Sequence, residues 1–99
     1  MILHILSHSP TGAGYIEECL SLLTAEDALL LINDGVYTAS AQSPFAGHLQ
    51  GCNCPLYALA SDVKARGLEN HLLNNIQLVD YEAWVELVAK YPRNMSWYP

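Results

Sequence analysis

Short apolar runs alternate with amphipathic stretches along this chain. The clearest run covers residues 28–32. It is continuous, shorter than a typical helix and free of polar alternation, so it predicts a strand buried on both faces. Similar runs predict strands at residues 1–6, 55–59 and 76–79. Because helical patterns separate these runs, the sequence predicts an α/β sandwich with a mainly parallel sheet.

The first helical pattern follows the first predicted strand, and its apolar positions share one face. These positions, which recur at i, i+3, i+4 and i+7, are Ile16, Cys19, Leu20 and Leu23. A short helix is predicted to start in residues 35–40, and residues 44–51 are predicted as a weakly helical or irregular segment. The polar stretch 69–75 is predicted as a loop or helical turn. No repeat, linker or low-complexity tract interrupts the chain, so we expect one domain over residues 1–99.

Two later helices carry terminal signals. Ser61 and Asp62 predict an N-cap, and Gly67 predicts the corresponding C-terminal stop. Asp80 predicts the cap of the last helix, and Pro92 its end. The residues predicted to share the buried face of that last helix are Trp84, Leu87, Val88 and Tyr91.

Two aspartates directly follow predicted strands. Asp34 lies in the turn Asn33-Asp34-Gly35, and Asp62 follows the run at 55–59. In an open parallel sheet, ligands and partners meet the fold at the carboxyl ends of the strands. The two carboxylates are therefore candidates for an acid–base pair, although a turn residue and a helix cap explain them more simply.

The composition changes this picture in one respect. Hydrophobic residues form 52% of the 99-residue chain and charged residues only 14%, against about 25% charged residues in average soluble proteins. A domain of this size has a high surface-to-volume ratio, so part of that apolar content should remain on the surface. We therefore expect an obligate subunit of an oligomer.

The charge excludes one class of function and the cysteine count favours one compartment. A net charge of −6, with ten acidic residues against four basic ones, argues against direct nucleic-acid binding. The apolar start is brief and lacks a basic flank, which is not typical of a signal peptide. No run approaches the roughly 20 residues that span a bilayer. Three cysteines, an odd number, favour the reducing cytoplasm over a secreted disulfide framework.

The cysteines leave alternatives open. Cys19 falls on an apolar helix face beside Glu17 and Glu18, a setting that favours an inert core thiol over a reactive one. Cys52 and Cys54, with His48 nearby, supply soft ligands for zinc or copper. The spacing differs from Cys-x₂-Cys and a fourth ligand is not evident, so ordinary loop thiols are the simpler interpretation and no metal is predicted.

The loop at residues 9–14, Ser-Pro-Thr-Gly-Ala-Gly, lies between the first strand and the first helix. Small residues there suit a phosphate or a flavin at a helix N-terminus. The loop has neither the GxGxxG pattern nor a P-loop lysine, so a plain turn is favoured and no cofactor is predicted. His4 is predicted to be a sheet residue and His8 a loop residue near solvent.

Several motifs, in this order and spacing, resemble the DsrH/TusB family nearly from end to end. They are Met-Ile-Leu-His-Ile-Leu at 1–6, Ser9-Pro10, Asp27-Ala-Leu-Leu-Leu-Ile at 27–32, Asp34-Gly-Val-Tyr37, Tyr57-Ala-Leu59, Asp62-Val-Lys-Ala-Arg-Gly67, Val79-Asp-Tyr81 and Trp97. The least similar part is 41–54. The resemblance implies a three-layer α/β/α sandwich with a mainly parallel, four- to five-stranded sheet, similar to flavodoxin.

The resemblance also implies a function. Family members join DsrE/TusD-type and DsrF/TusC-type chains in a heterohexamer with two copies of each. One branch passes a cysteine persulfide towards 2-thiouridine at the wobble position of tRNA, and the other serves sulfur oxidation. The chain is thus expected to be a cytoplasmic, non-catalytic subunit of a sulfurtransferase complex, meeting tRNA only indirectly. When purified alone, it is a candidate for homo-oligomers.

The resemblance also bears on single residues. The sulfur-carrying cysteine of the TusD-type chain aligns with Leu59, and a leucine cannot bear a persulfide. Cys19 matches a cysteine of DsrH-type members, which makes it a candidate secondary sulfur site and the basis of the alternative sulfur-oxidation function. The residues expected to contact partner subunits at the sheet edge are Asp34, Gly35, Asp62 and Arg66.

Overall fold

The computed structural model describes residues 1–9 and 15–97, apart from the side chain of Tyr15. A five-stranded sheet forms its centre, with every neighbouring pair of strands parallel. The strands are β1 (Ile2–Leu6), β2 (Ala28–Leu31), β3 (Leu56–Leu59), β4 (Ile76–Val79) and β5 (Arg93–Trp97), arranged in the order β4-β3-β2-β1-β5. All four residues of β2 are buried, as the uninterrupted apolar run predicts.

Helices cover both faces of the sheet, which confirms the three-layer α/β/α prediction. One face carries α1 (Tyr15–Leu22), a 3₁₀ segment (Asn33–Ala39), α2 (Ala46–Gln50) and α3 (Ala60–Ala65). Their side chains join a core cluster with alternate strand residues such as Leu6, Leu29 and Leu31. The other face is covered by α4 (Tyr81–Lys90), whose Leu87 packs with Leu3 and Leu30.

Most predicted elements occur close to the predicted positions, and several helix signals are confirmed. Ile16, Cys19 and Leu20 of α1 are buried. Asp80 caps α4 by accepting a 2.8 Å hydrogen bond from the Ala83 N–H. Gly67 follows α3 with a φ of 66°, the left-handed conformation that favours glycine after a helix.

The structure differs from the prediction in three details: two assignments are wrong, and one strand was not predicted. Asp62 is not an N-cap, because α3 begins earlier, at Ala60, with Leu59 at its cap position. Val88 is 40% exposed and does not share the buried face of α4. The sequence pattern also did not locate β5, because four of its five residues are exposed and a run such as Arg-Asn-Met-Ser-Trp has no strand periodicity. Pairing with β1 alone makes it a strand.

Residues 10–14 of the candidate phosphate loop lie outside the described residues. In the part of the chain that is described, no helix combines the length and apolar character needed to cross a bilayer.

Candidate functional site

The carboxyl end of the sheet brings together three of the four residues predicted as a partner-contact site. Arg66 Nη2 and Nε lie 2.9 and 3.0 Å from Asp34 Oδ1. Arg66 Nη1 lies 3.2 Å from the Asp62 carbonyl oxygen and 3.6 Å from Asp62 Oδ1. The Asp34 side chain is 59% exposed, against 21% for Arg66. The cluster therefore presents a partly satisfied carboxylate at the surface.

Asp62 has a different role from the predicted helix cap. Its Oδ2 accepts a 2.7 Å hydrogen bond from the backbone N–H of Asn33, at the start of the 3₁₀ segment. Asn33 has a φ of 50°, a conformation uncommon for residues other than glycine but tolerated by asparagine. Asp62 thus ties the turn after β2 to the helix after β3.

Gly35 is buried beneath this cluster, and the structure gives it a packing role. A Cβ atom built on Gly35 would lie 2.1 Å from the carbonyl oxygen of Leu6. Only a glycine lets the turn after β2 approach the end of β1 so closely. Its predicted contact with a partner subunit stays a prediction.

Leu59 ends β3 next to this cluster and is 1% exposed. No cysteine of the described chain lies at this end of β3, since Cys52 and Cys54 precede the strand and Cys19 lies on α1. The carboxyl end of β3 therefore carries a buried hydrocarbon side chain, which has no thiol chemistry.

The amino end of the sheet holds the three thiols. Cys52 and Cys54 line a cavity of about 420 Å³ together with His48, Leu20 and other residues. Cys52 is half-buried and its thiol donates to the His48 carbonyl oxygen at 3.4 Å. Cys54 is 8% exposed. No group of three or more His, Cys, Asp or Glu side chains within the described ranges is placed to hold a metal ion.

Cys19 lies on α1, and its side chain is fully buried in the core cluster. Burial, followed by the charge of the nearby Cys54, raises the pKa of the Cys19 thiol to about 12. A thiol that stays protonated at neutral pH is a poor nucleophile. Its role as a sulfur carrier stays a prediction, and its surroundings suit an inert core residue.

A buried polar network also lies near the amino end, and the sequence reasoning assigned it no role. Trp97 Nε1–H donates to His4 Nδ1 at 3.1 Å, which leaves the ring proton on Nε2. That nitrogen lies 3.4 Å from Asp27 Oδ2, without full hydrogen-bond geometry. Asp27 in turn accepts hydrogen bonds from the N–H groups of Ile2 and Thr24. The only sequence signal was that His4, Asp27 and Trp97 all belong to the family-like motifs.

These contacts set the ionisation of Asp27. Burial alone would raise the pKa of this carboxyl group. The hydrogen bonds from Ile2 and Thr24, together with the His4 ring, outweigh burial, so the pKa of Asp27 lies below its ordinary value. The network therefore holds a buried carboxylate in its charged form.

The outer side of α4 carries an exposed apolar stripe, defined by Tyr81, Val85 and Val88. These side chains are 60, 68 and 40% exposed, and they follow the i, i+4, i+7 spacing of one helix side. Such a surface is typical of a protein interface. It matches the apolar excess of the composition and lies on an element that the sequence reasoning did not single out.

Ser9 is the one described residue of the candidate phosphate loop. It lines a second cavity, of about 410 Å³, with Tyr37, Ser40 and Gln42 among others. None of the described residues that line this cavity is a lysine or an arginine.

Comparisons with known proteins give a consistent result. Residues 8–94 match the family model described as DsrH like protein. The chain is 42% identical over 96 residues to Protein TusB of Enterobacter sp. (strain 638) and 40% identical to Protein TusB of Serratia proteamaculans (strain 568). In both cases the match covers 97% of this chain and 100% of the relative.

Solved structures show the same fold. The ychN protein from E. coli matches with a TM-score of 0.81 at 15% sequence identity, over 97% of each chain. Protein Tm0979 from Thermotoga maritima matches with a TM-score of 0.69 at 23% identity, over 91% of this chain and 93% of that one. At these identities the likeness concerns the architecture alone.

Proposed function

The chain belongs to the DsrH-like family, and from that membership we propose that it is a non-catalytic subunit of a sulfur-relay complex. In the proposed complex it assembles with DsrF/TusC-type and DsrE/TusD-type chains and supports 2-thiolation of the wobble uridine of tRNA. The proposed compartment is the cytoplasm, where tRNA is modified and free thiols persist.

Leu59 is the observation that carries this proposal. It occupies the end of β3, where a carrier chain of this type is expected to place its cysteine, and it is buried. The thiols of the described chain lie elsewhere, on α1 and before β3. The chain therefore lacks a reactive thiol at the position where the relay needs one, and a partner must supply it.

Two surfaces support assembly with partners. The apolar stripe on α4 exposes three large side chains on one helix side. The Asp34–Arg66 pair lies at the carboxyl end of the sheet with the Asp34 carboxylate partly free. Apolar area supplies affinity and exposed charge supplies orientation and selectivity.

Co-purification tests the assembly. The tagged chain is co-expressed with its two partner chains, and the recovered complex is weighed by native mass spectrometry. We expect Val85→Lys, and separately the double variant Asp34→Ala, Arg66→Ala, to lose the partners at least tenfold. Glu82→Lys, which places the same side chain on an exposed position of α4 outside the stripe, should retain them.

Deletion tests the biological role. Total tRNA from a strain that lacks this gene should lose 2-thiouridine, and the wild-type gene should restore it. Cys19→Ser should restore it equally well if the chain is non-catalytic. Unchanged 2-thiouridine in the deletion strain would refute the tRNA function, and unchanged assembly of the double variant would refute the predicted contact site.

A further inference from the structure

The thiol pair at the amino end of the sheet has no part in the proposed function. Cys52 and Cys54 line one cavity of about 420 Å³, a size within the range of small-molecule sites. They lie in the stretch between α2 and β3, within the part of the sequence that least resembles the family.

The two thiols are one residue apart, line the same cavity and differ in accessibility. Each lies close enough to shift the pKa of the other, and the Cys52 thiol donates to the His48 carbonyl oxygen at 3.4 Å. Both side chains line the cavity, but Cys52 is half-buried whereas Cys54 is 8% exposed. A ligand in the cavity therefore has better access to Cys52.

The same asymmetry orders the ionisation of the two groups. Burial raises the pKa of Cys52, and the hydrogen bond from Cys54 partly counteracts it. Burial, and then the charge of Cys52, raises the pKa of Cys54 to about 11. A more accessible thiol beside a more buried one suits an attacking and a resolving cysteine. Because both pKa values are raised, the exchange should be slow at neutral pH and faster in alkali.

We propose that Cys52 and Cys54 form a redox-active dithiol that reduces the sulfur–sulfur bond of a small disulfide or persulfide bound in this cavity, and that the pair becomes a Cys52–Cys54 disulfide. The proposal is independent of the sulfur-relay assignment, since this chemistry needs no partner chain.

With a disulfide R–S–S–R, the Cys52 thiolate attacks one sulfur, the ligand S–S bond breaks, and R–S⁻ leaves. The Cys54 thiolate then attacks Cys52 Sγ in the mixed disulfide and expels the second R–S⁻. The two protons of the cysteine thiols end on two molecules of R–SH. Two electrons pass from the cysteine sulfurs to the ligand, so the exchange is balanced without another reactant.

With a persulfide R–S–SH, the Cys52 thiolate attacks the terminal sulfur and R–SH leaves. Cys54 then attacks Cys52 Sγ and releases hydrogen sulfide while the Cys52–Cys54 bond forms. The terminal sulfur is reduced by two electrons and the dithiol is oxidised by two. The two ligand sources thus differ in one product, sulfide.

Intact mass spectrometry of the full chain under nitrogen tests the proposal. Incubation of the reduced protein with glutathione disulfide should lower its mass by about 2 Da, the loss of two hydrogens. Cys54→Ser should stop with one glutathione attached, and Cys52→Ser should react at least tenfold more slowly. The first lysine or arginine is Lys64, so trypsin leaves all three cysteines on one peptide. The cysteines that react are therefore identified with variants and not by peptide mapping.

The matched control is Cys19→Ser, which should behave as the wild-type chain because Cys19 lies outside the cavity wall. A parallel incubation with glutathione persulfide should give the same loss of mass and one sulfide for each chain. The disulfide incubation should release none.

Three outcomes would overturn the proposal. They are loss of the two hydrogens in Cys52→Ser at the wild-type rate, a disulfide that links two chains instead of Cys52 and Cys54, and reaction only after unfolding in urea.

Discussion

The two ends of the sheet use polar side chains in opposite ways. At the amino end, Asp27 is 4% exposed and pairs with buried backbone and the His4 ring. At the carboxyl end, Asp34 is 59% exposed and pairs with Arg66 at the surface. Buried polar contacts stabilise a fold because water cannot replace them, while exposed ion pairs contribute little. We infer that the polar contacts at the amino end contribute more to stability than those at the carboxyl end, which remain exposed at the surface.

Gly35→Ala has the largest expected effect. It tests the comparison because it destabilises the carboxyl end through packing and not through charge. Gly35→Ala places a Cβ 2.1 Å from the Leu6 carbonyl oxygen. Because backbone must move, we expect a loss of about 3 kcal/mol or more in the free energy of unfolding, measured in urea.

Gly47→Ala is the control for that substitution, because its Cβ meets no atom within 4 Å. It should fall between no change and a gain of about 1 kcal/mol, since alanine favours the helix. Equal stability of the two variants would show that the backbone of the turn after β2 moves at little cost, and would contradict the packing role of Gly35.

Asp27→Asn tests the buried side of the comparison. The amide cannot carry the charge that the N–H groups of Ile2 and Thr24 stabilise, so we expect a loss of about 2 kcal/mol at pH 7. Glu26→Gln removes the same charge from the exposed neighbouring residue and should change stability by less than about 0.5 kcal/mol.

The pH dependence of the same pair of variants sharpens the test. The pKa of Asp27 is lower in the folded chain than its ordinary value, so its contribution is present above the unfolded pKa. It is lost as the pH falls through the folded value, below about pH 4. The stability difference between wild type and Asp27→Asn should therefore shrink in acid. A constant difference from pH 7 to pH 3 would contradict the ionic role of Asp27.

The smallest expected effect belongs to the exposed pair. A double-mutant cycle with Asp34→Ala and Arg66→Ala should give a coupling free energy below about 1 kcal/mol, because solvent screens both groups. High salt should reduce it further. A coupling as large as the Asp27 effect would assign the carboxyl end to stability and remove the contrast.

The sequence predicted the elements better than their terminal contacts. Residues 76–79 and the Asp80 cap occur where the pattern placed them. Asp62 has the residue type of a cap, yet it lies inside α3 and its carboxylate accepts a hydrogen bond from Asn33, 29 residues away. A local rule cannot rank a distant backbone donor against a near one, because which donor lies closer depends on how β2 and β3 pair.

The candidate site was only partly predicted, again because local rules do not give the distances between residues on different elements. Asp34, Asp62 and Arg66 follow strands of a parallel sheet, so the sequence placed them at its carboxyl edge. Only the strand order, with β3 next to β2, brings them together. The cavity at Cys52 and the stripe on α4 were not anticipated. Both depend on which side of each element faces the sheet, and α4 is the single described helix on its face.

The sequence by itself determined the alternation of strands and helices, the parallel sheet and the excess of apolar surface, since these follow from short-range periodicity and composition. The tertiary structure decided that β5 joins β1, that Trp97 meets His4 across 93 positions, and which aspartate is buried and which exposed. The physical reason is that the type of a side chain determines which hydrogen bonds and ion pairs it is able to form. Strand pairing determines which partner it meets and how deeply the pair is buried, and these set how much the interaction contributes to stability.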